Sequence, residues 1–297
     1  MSTILSGIYA ASMSVLRADL TLDIQETLRH AKENLDDNGV GSIFFGSTGM
    51  GALISLQEKK QFIEALSKYK FKEQILTGTA STSLKDTTNL MKHSINFGFK
   101  NFLIMNVAYY KNEDNGVYNW YKNIIKSVPE ARIVLYNFSK LAAGYAFTLE
   151  VTKRLIKDFP KNIVGMKDST GNLWDNFKAE NFKMFVGSEK NLIRNLKNGG
   201  AGCISATLNF SGSLARKVYD DFKNKGFSSE NEKLQAIRTA FDETGNLISA
   251  LHTLKSLEDK AYANLLPPLE LLSESKKEEL IKKLKGLGAL TNKNIAA

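Results

Sequence analysis

The run NIVGMKD, from Asn162 to Asp168, decides how we interpret the fold. It is apolar over nearly its whole length instead of alternating, which is typical of a parallel strand buried on both faces. Seven further runs have this character, and segments with a helical period lie between them. These runs are GIYAASMSV from Gly7, SIFFGS from Ser42, QILTGTA from Gln74, NFLIMNVA from Asn101, RIVLYNF from Arg132, KMFVGS from Lys183 and AGCISAT from Ala201.

The segments between the runs carry helix signals. Ser55 with Glu58, and Ser83 with Asp86, have the spacing of a capping box. Gly39 is expected to stop the first helix, and Pro160 follows another. The residues that we expect to face inward are Ile24, Leu28, Ala31, Leu35, Phe62, Ile63, Leu66, Val151, Leu155 and Ile156.

Eight strand–helix units within about 225 residues predict an α/β fold, a (β/α)₈ TIM barrel. We expect residues 1–225 to form the barrel and residues 226–297 to form a C-terminal helical extension packed on it. Helical patterns there cover 228–252, 254–266 and 273–287, interrupted by Pro267 and Pro268. A doubly wound sheet is the weaker alternative, because no GxGxxG follows the first strand.

The composition is that of an ordinary globular protein, with 43% hydrophobic and 24% charged residues among 297. No stretch approaches the roughly 20 apolar residues of a membrane span, and the first residues lack the basic start of a secretory signal, so we expect a cytoplasmic protein without membrane partners. A single cysteine, Cys203, fits a reducing compartment. The net charge of +9 comes from lysines mixed with acidic neighbours, which favours solvated helix faces over a nucleic-acid site.

The carboxyl ends of the predicted strands carry the candidate site, since active sites of such barrels lie at that face. Lys167 stands out because burying an ammonium group among apolar residues is costly, and a neutral amine is a nucleophile that can form a Schiff base. An ion pair, for example with Asp168, is the alternative. The other polar residues expected at this face are Ser47, Thr48, Thr79, Tyr109, Tyr110, Tyr136, Ser188, Glu189 and Ser205.

Two further features suggest chemistry at this face. Tyr136 can transfer a proton to or from a carbonyl, or it can simply cover the barrel rim. The loop IFFGSTGMG, from Ile43 to Gly51, is expected to offer backbone N–H groups and the positive end of a helix dipole to an anion. It lacks the GK[ST] of a P-loop, so a small carboxylate is the better ligand, and a plain turn is the alternative.

The three histidines suggest neither a metal site nor a catalytic triad. His30, His93 and His252 fall in predicted helices, far apart, without carboxylates or cysteines at ligand spacing. No histidine is predicted at the end of a strand, so a serine nucleophile would have no base.

Three segments together resemble one family. GSTGMGALISLQEK, from Gly46 to Lys59, is similar to the G-[ST]-T-G-x-x-x-x-L-[ST]-x-x-E-[KR] signature of the dihydrodipicolinate synthase and N-acetylneuraminate lyase superfamily. YN at Tyr136 and GMKDSTGN around Lys167 resemble its tyrosine and Schiff-base lysine segments. The resemblance spans nearly the whole chain and implies a class I pyruvate aldolase without metal or organic cofactor, built as a tetramer of two tight dimers.

The resemblance also implies roles for individual residues. Lys167 would form the Schiff base, and Tyr136 would relay the proton. Ser47 and Thr48 would bind the pyruvate carboxylate, and Ser47 would link Tyr136 to a Tyr110 that reaches in from the neighbouring subunit. The remaining candidate substrate contacts are Ser169, Glu189 and the backbone of Ile204.

The chain departs from this pattern at the acceptor side. True dihydrodipicolinate synthases resemble YNVPxRTG, in which the arginine binds the carboxylate of the aldehyde, whereas this chain has YNFSKLAAG from Tyr136. Lys140 is displaced by one position and cannot form a bidentate fork. Met50 replaces the glutamate that is common after the TTG of the signature. These changes argue against lysine biosynthesis.

We therefore favour a pyruvate aldolase that acts on a 2-keto-3-deoxy sugar acid or a related hydroxylated keto acid. Dihydrodipicolinate synthase itself, which condenses pyruvate with aspartate semialdehyde, is the first alternative. Sialic acid lyase and the superfamily's dehydratases follow. A non-catalytic barrel that binds a keto acid is an alternative of another class, against which the set Lys167, Tyr136, Ser47 and Tyr110 argues.

Overall fold

The computed structural model describes residues 6–38, 40–69 and 72–290. Eight parallel strands close into a barrel in chain order, which confirms the predicted (β/α)₈ class. Each strand lies within, or one residue beyond, a predicted apolar run. The strands are β1 (Gly7–Ala11), β2 (Gly41–Phe44), β3 (Ile75–Gly78), β4 (Asn101–Met105), β5 (Arg132–Asn137), β6 (Ile163–Asp168), β7 (Lys183–Val186) and β8 (Gly202–Ser205).

Helices surround the barrel, and their predicted ends are largely correct. Ser55 and Glu58 form a reciprocal capping box, and the Ser83 side chain accepts from the Asp86 N–H. Gly39, the predicted stop, lies outside the described residues. The barrel helices are α1 (Ile24–Lys32), which continues as a π-helical turn (Glu33–Asp37), α2 (Leu56–Leu66), α3 (Leu84–Asn96), α4 (Asp114–Ser127), α5 (Leu149–Asp158), α6 (Leu192–Lys197) and α7 (Leu208–Lys225).

The connection from β6 to β7 is the one place where the expected strand–helix alternation is wrong. All its residues are described, and they form turns instead of a helix. The carboxylate of Asp168 accepts the backbone N–H groups of Gly171, Leu173 and Trp174 at 2.8–2.9 Å. A buried carboxylate that binds three nearby backbone donors holds the chain in a turn, and the N–H groups of Leu173 and Trp174 then cannot donate to carbonyl oxygens one helical turn earlier.

The C-terminal extension is helical, but its elements differ from the predicted segments. The expected helix over 228–252 is two helices, α8 (Asn231–Asp242) and α9 (Leu247–Lys255). Gly245 lies between them with φ of +80°, and the Asn246 side chain caps α9, so the chain turns there. The expected helix over 254–266 is wrong as well, since only a short 3₁₀ turn (Lys260–Ala263) occurs after α9. The last predicted helix is present as α10 (Glu274–Gly286).

The register of the sheet brings the two principal candidates together. Tyr136 of β5 pairs directly with Lys167 of β6, and residues at one level of neighbouring parallel strands point to the same face. Tyr136 packs with apolar side chains of the barrel interior, including Val134, Phe185 and Ile204. Within the described ranges, no helix is both long and apolar enough to cross a bilayer.

Candidate active site

A central cavity of about 430 Å³ opens at the carboxyl ends of the strands. It collects residues that follow β2, β5, β6, β7 and β8, together with residues of the C-terminal extension. The residues of its wall are Ser47, Thr48, Tyr136, Phe138, Leu141, Lys167, Asp168, Ser169, Thr170, Gly171, Trp174, Gly187, Ser188, Asn191, Ala206, Arg238, Gly245, Asn246, Leu247 and Ile248.

Lys167 is buried in this wall without a polar partner. Its side chain is 5% exposed, and among the described residues it makes neither a hydrogen bond nor an ion pair. Its Nζ lies 4.3 Å from the centre of the Tyr136 ring. An amine that is not hydrogen-bonded to another residue is not anchored and can turn toward an electrophile in the cavity.

Asp168 does not serve as the counter-ion of Lys167, although the sequence left that alternative open. Besides the three backbone donors of the β6–β7 connection, its carboxylate accepts from Asn137 Nδ2 at 2.9 Å. No ion pair joins Asp168 to Lys167 in the described structure. The carboxylate is thus occupied by the turn that it organises.

Tyr136 and Ser47 bring two hydroxyl groups to the same part of the wall. The Tyr136 OH lies 3.4 Å from Ser47 Oγ, at the outer limit of a hydrogen bond. Either oxygen can be the donor. The pair connects the loop after β2 with the strand next to Lys167, which is the arrangement that a proton relay needs.

The glycine loop leads into the wall, but not as a helix N-terminus. The chain makes turns through Gly51, and α2 begins only at Leu56, where the capping box of Ser55 satisfies its first N–H groups. The expected contribution of a helix dipole is therefore wrong. The loop is compact because a Cβ on Gly51 would lie 2.0 Å from the Phe45 carbonyl oxygen.

The same loop leaves backbone donors for a ligand, among them two on residues that line the central cavity. The N–H groups of Met50 and Gly51 donate to Ser47 O and Gly46 O. Those of Ser47 and Thr48 find no acceptor in the described chain. Both residues line the central cavity, so the loop offers two N–H groups and two hydroxyl groups there.

The structure brings some of the predicted substrate contacts into the wall and leaves others out. Ser169 lies in the wall beside Lys167. Ile204 and Glu189 are fully buried behind it. Tyr110 is 69% exposed and stands outside the cavity, and Lys140 is exposed as well. Of the other polar residues expected at this face, Ser188 lies in the wall, whereas Thr79, Tyr109 and Ser205 do not.

Glu189 is the centre of a buried polar network. Its carboxylate accepts from Ser205 Oγ at 2.8 Å, from Thr207 Oγ1 and from Arg238 Nη1 at 2.9 Å. Arg238 comes from α8, about 50 residues further along the chain. The ion pair between Glu189 and Arg238 therefore joins the ends of β7 and β8 to the C-terminal extension.

The contribution of the extension to the wall was missed from the sequence. Arg238 and the segment from Gly245 to Ile248 line the cavity, although the extension was expected only to pack on the barrel. The dipeptide Gly245-Asn246 is a usable turn signal that predicts the break between α8 and α9. No local pattern marks Arg238, since an arginine on a helix is ordinarily exposed.

A second, side cavity of about 350 Å³ adjoins the first. The two share Ser47, Tyr136, Leu141 and Ile248. The rest of the side cavity is mostly apolar. Its further residues are Phe45, Gly46, Met50, Ala52, Leu53, Ala80, Ser81, Thr82, Leu103, Met105, Asn106, Ala108, Pro268 and Leu269.

His30 and His252 lie in helices, and their rings are hydrogen-bonded to other residues of the chain. His30 contacts the Tyr262 hydroxyl at 2.9 Å and Asn209 Oδ1 at 2.8 Å, and burial lowers its pKa to about 4. His252 contacts the Tyr262 carbonyl oxygen at 2.8 Å. In the described part of the chain, no group of three His, Cys, Asp or Glu residues is placed to hold a metal ion.

Comparison with known proteins connects this geometry to a family. A probable 2-dehydro-3-deoxy-D-pentonate aldolase of Escherichia coli (strain K12) is 26% identical over 289 residues, which are 93% of this chain and 95% of that protein. A 4-hydroxy-tetrahydrodipicolinate synthase of Rhizobium meliloti is 26% identical over 265 residues, 86% of this chain and 89% of that protein.

A solved structure shares the fold. It is a prophage protein of the dihydrodipicolinic acid synthase family from Escherichia coli K12 in complex with pyruvate, with a TM-score of 0.83 at 22% identity, covering 97% of this chain and all of that chain. The model of the dihydrodipicolinate synthetase family matches residues 4–287. The chain therefore belongs to the dihydrodipicolinate synthetase family.

Proposed function

We propose that the chain is a pyruvate-dependent aldolase that forms or cleaves a 2-keto-3-deoxy sugar acid or a related hydroxylated keto acid through a Schiff base on Lys167. Membership of the family makes it a carbon–carbon lyase of the class I aldolase type. The observation that carries the assignment of Lys167 is its buried, unpartnered amine in the cavity wall, at the same level as Tyr136.

The chemistry follows from these groups. The amine of Lys167 attacks the keto carbon of pyruvate, and water leaves to form an iminium ion. The iminium withdraws electrons, so C3 loses a proton to water in the cavity and becomes an enamine carbon, which attacks the aldehyde. The Tyr136 hydroxyl donates a proton to the new alkoxide oxygen and is reprotonated through Ser47. Hydrolysis of the product iminium frees Lys167, and cleavage follows the reverse path.

The loop after β2 suits the carboxylate of pyruvate. The free N–H groups of Ser47 and Thr48, with their hydroxyl groups, are donors that do not need a cation to bind an anion. Ser169 lies beside Lys167 in the same wall and supplies a further hydroxyl group.

The charges in the wall favour a neutral acceptor. Among the described residues of the wall, only Lys167 and Arg238 are cationic. The Lys167 nitrogen is uncharged in the enamine that attacks the aldehyde, and Arg238 is already paired with Glu189 and Asp242. Lys140 stands outside. A second carboxylate, as in aspartate semialdehyde, would find no unpaired cation, so a hydroxylated aldehyde is the better acceptor.

A complete site also needs Tyr110, and we propose that it comes from a second subunit of a homotetramer built from tight dimers. In one chain Tyr109 and Tyr110 are 83% and 69% exposed, with their rings 5.2 Å apart. Two adjacent exposed aromatic rings next to an active site are suited to an interface between subunits. The single buried cysteine agrees with a cytoplasmic location.

Trapping with borohydride tests the central step. Reduction in the presence of pyruvate should add one pyruvate-derived mass to Lys167, read by peptide mass spectrometry. Lys59, which is equally buried, is an internal control and should remain unlabelled. Labelling of another lysine, or turnover without any labelling, would refute the assignment.

A comparison of acceptors tests the substrate class. We expect kcat/KM to be higher for glyceraldehyde or glycolaldehyde than for aspartate semialdehyde. N-acetylmannosamine is included as the acceptor that a sialic acid lyase would use. The highest kcat/KM with aspartate semialdehyde would make the chain a dihydrodipicolinate synthase instead.

A further inference from the structure

We propose that Arg238 binds a hydroxyl oxygen of the acceptor aldehyde through its Nη2 and thereby selects hydroxylated acceptors. The inference rests on the proposed function, because it concerns the acceptor half of the same cavity. It assigns a substrate contact to the C-terminal extension, which the sequence places about 70 residues after Lys167.

The guanidinium of Arg238 is held at three of its donor positions. Its Nε donates to Asp242 Oδ1 at 2.8 Å. Its Nη1 donates to Glu189 Oε2 at 2.9 Å and to Ser205 Oγ at 2.8 Å, with Gly187 O at 3.4 Å. Arg238 is 9% exposed and lies in the wall of the central cavity.

The Nη2 group makes no hydrogen bond in the described structure, which leaves two N–H donors for a ligand. Nη2 is not among the enclosed side-chain atoms that lack a partner in the described structure, so it is accessible from the cavity, where water or a ligand can satisfy it. Since the rest of the guanidinium is fixed, a substrate oxygen can be bound with little further loss of side-chain entropy.

The network behind Arg238 explains why the side chain keeps this position. Glu189 is fully buried and also accepts from Ser205 and Thr207, so its carboxylate has a fixed place. Asp242 holds the opposite edge of the guanidinium. Two carboxylates from different elements thus orient one planar group, and planarity then sets the direction of Nη2.

The charges select the kind of oxygen. Arg238 is compensated by Glu189 and Asp242, and Asp242 also binds Lys190 at 3.2 Å. The four charges balance within the cluster. Nη2 therefore offers directional N–H donors without an unpaired positive charge, which suits a hydroxyl oxygen better than a carboxylate or a phosphate.

A substrate pair measured with a variant separates binding from mere support of the fold. Glyceraldehyde carries two hydroxyl groups that propanal lacks, and both are otherwise of equal chain length. We expect Arg238→Lys to lower kcat/KM for glyceraldehyde by about tenfold or more, the range of a hydrogen bond to a charged group. For propanal the loss should stay within about threefold, and the KM for pyruvate should not change.

The matched control is Arg216→Lys, the same exchange at an arginine that pairs with Asp220 on α7, outside the Arg238 cluster and outside the cavity wall. This control should leave kcat/KM unchanged for both glyceraldehyde and propanal. Succinic semialdehyde is included as an acceptor that carries a carboxylate. A loss of kcat/KM in Arg238→Lys that is confined to this acceptor would mean that Arg238 binds a carboxylate. Equal losses on glyceraldehyde and propanal would mean that Arg238 only supports the fold. Either result overturns the inference.

Borohydride labelling of Lys167 with pyruvate distinguishes this failure from failure of the proposed function. If pyruvate still labels Lys167 in Arg238→Lys and the preference for glyceraldehyde over propanal is unchanged, the inference is refuted and the proposed function stands. An unlabelled wild-type chain refutes the proposed function. If the wild type is labelled but Arg238→Lys is not, a double variant replaces the single one. It combines Glu189→Gln with Arg238→Gln, so that the Glu189 carboxylate is not left buried without its partner. The inference then requires the double variant to lose kcat/KM for glyceraldehyde selectively over propanal.

Discussion

Two lysines of this chain are buried to almost the same degree but have opposite surroundings. Lys59, on α2, is 4% exposed, and its Nζ donates to the Thr79 carbonyl oxygen at 2.9 Å. Lys167, on β6, is 5% exposed, and its Nζ has no polar partner in the described chain. Lys59 therefore ties α2 to the loop after β3, whereas the amine of Lys167 faces the central cavity.

The difference shows that burial alone does not identify a nucleophile. Burial lowers the pKa of Lys59 to about 8, against the opposing effect of Asp86 and Glu58. A lowered pKa would by itself make Lys59 a candidate for Schiff-base chemistry. Its amine is occupied by a carbonyl, however, and it lies outside the central cavity. A nucleophilic amine needs access to the cavity and the freedom to approach the carbonyl carbon of the substrate, and Lys59 is anchored elsewhere.

The largest effect should come from exchanging each lysine for methionine. Lys167→Met should lose about 10⁴-fold or more in kcat and all borohydride labelling, because the nucleophile is gone. Lys59→Met should still be labelled at Lys167 and keep kcat within about tenfold, since it disturbs packing and one hydrogen bond. Turnover and peptide mass spectrometry measure both. If Lys59→Met abolished labelling while the chain stayed folded, the contrast between the two lysines would be wrong.

The next largest effect concerns the neighbour of Lys167. Tyr136→Phe should lower kcat by about 10²- to 10⁴-fold, the range of a lost proton-transfer group, while pyruvate still labels Lys167. Because the ring remains, packing against Phe138 at 6.0 Å is kept. Ser47→Ala is the companion variant and should reduce kcat less. An unaltered kcat in Tyr136→Phe would assign proton transfer to another group.

A third test asks whether one chain supplies the whole relay beside Lys167. Tyr110→Phe and Lys167→Ala should each be nearly inactive alone, but mixed dimers should regain activity, because one of their two sites would combine an intact Lys167 with the partner's intact Tyr110. Differently tagged hybrids, confirmed by native mass spectrometry, are compared with each homomer. Activity no higher than the sum of the homomers would place Tyr110 in its own subunit's site or outside the relay.

The smallest effect concerns the stability that Lys59 contributes. Its pKa is about 8 in the folded chain and near 10.5 when exposed, so the unfolded chain binds more protons between these values and stability rises with pH there. Relative to Lys59→Met, the wild type should gain about 2 kcal/mol in free energy of unfolding from pH 7.5 to pH 9.5. Urea denaturation measures it, with Lys60→Met as the neighbouring control. A difference that does not change with pH would mean that Lys59 stays charged when buried.

Much of the barrel could be predicted because its signals are local. Each strand is a short apolar run, and the register that pairs Tyr136 with Lys167 follows once such runs lie side by side. The connection from β6 to β7 could not be predicted in the same way. Its shape depends on Asp168, whose carboxylate binds the N–H groups of Leu173 and Trp174, which a helix would need for its i to i−4 hydrogen bonds.

Within the candidate site, the same division holds between local and distant contacts. Lys167, Tyr136, Ser47 and Thr48 were expected at the ends of their strands, and the cavity wall contains all four. Glu189 was expected to touch substrate, but its carboxylate is buried behind the wall. The sequence shows an acidic residue after β7 and cannot show that an arginine on α8 will pair with it.

The sequence by itself therefore determined the barrel class, the order of its strands and the face on which Lys167 and Tyr136 stand, because strand and helix periods are written in neighbouring residues. The tertiary structure alone decided which buried amine is held by a carbonyl and which is left without a partner, and it brought Arg238 into the wall. Such contacts join residues far apart in the chain, and their hydrogen bonds depend on closing the barrel and docking the extension, which no local pattern encodes.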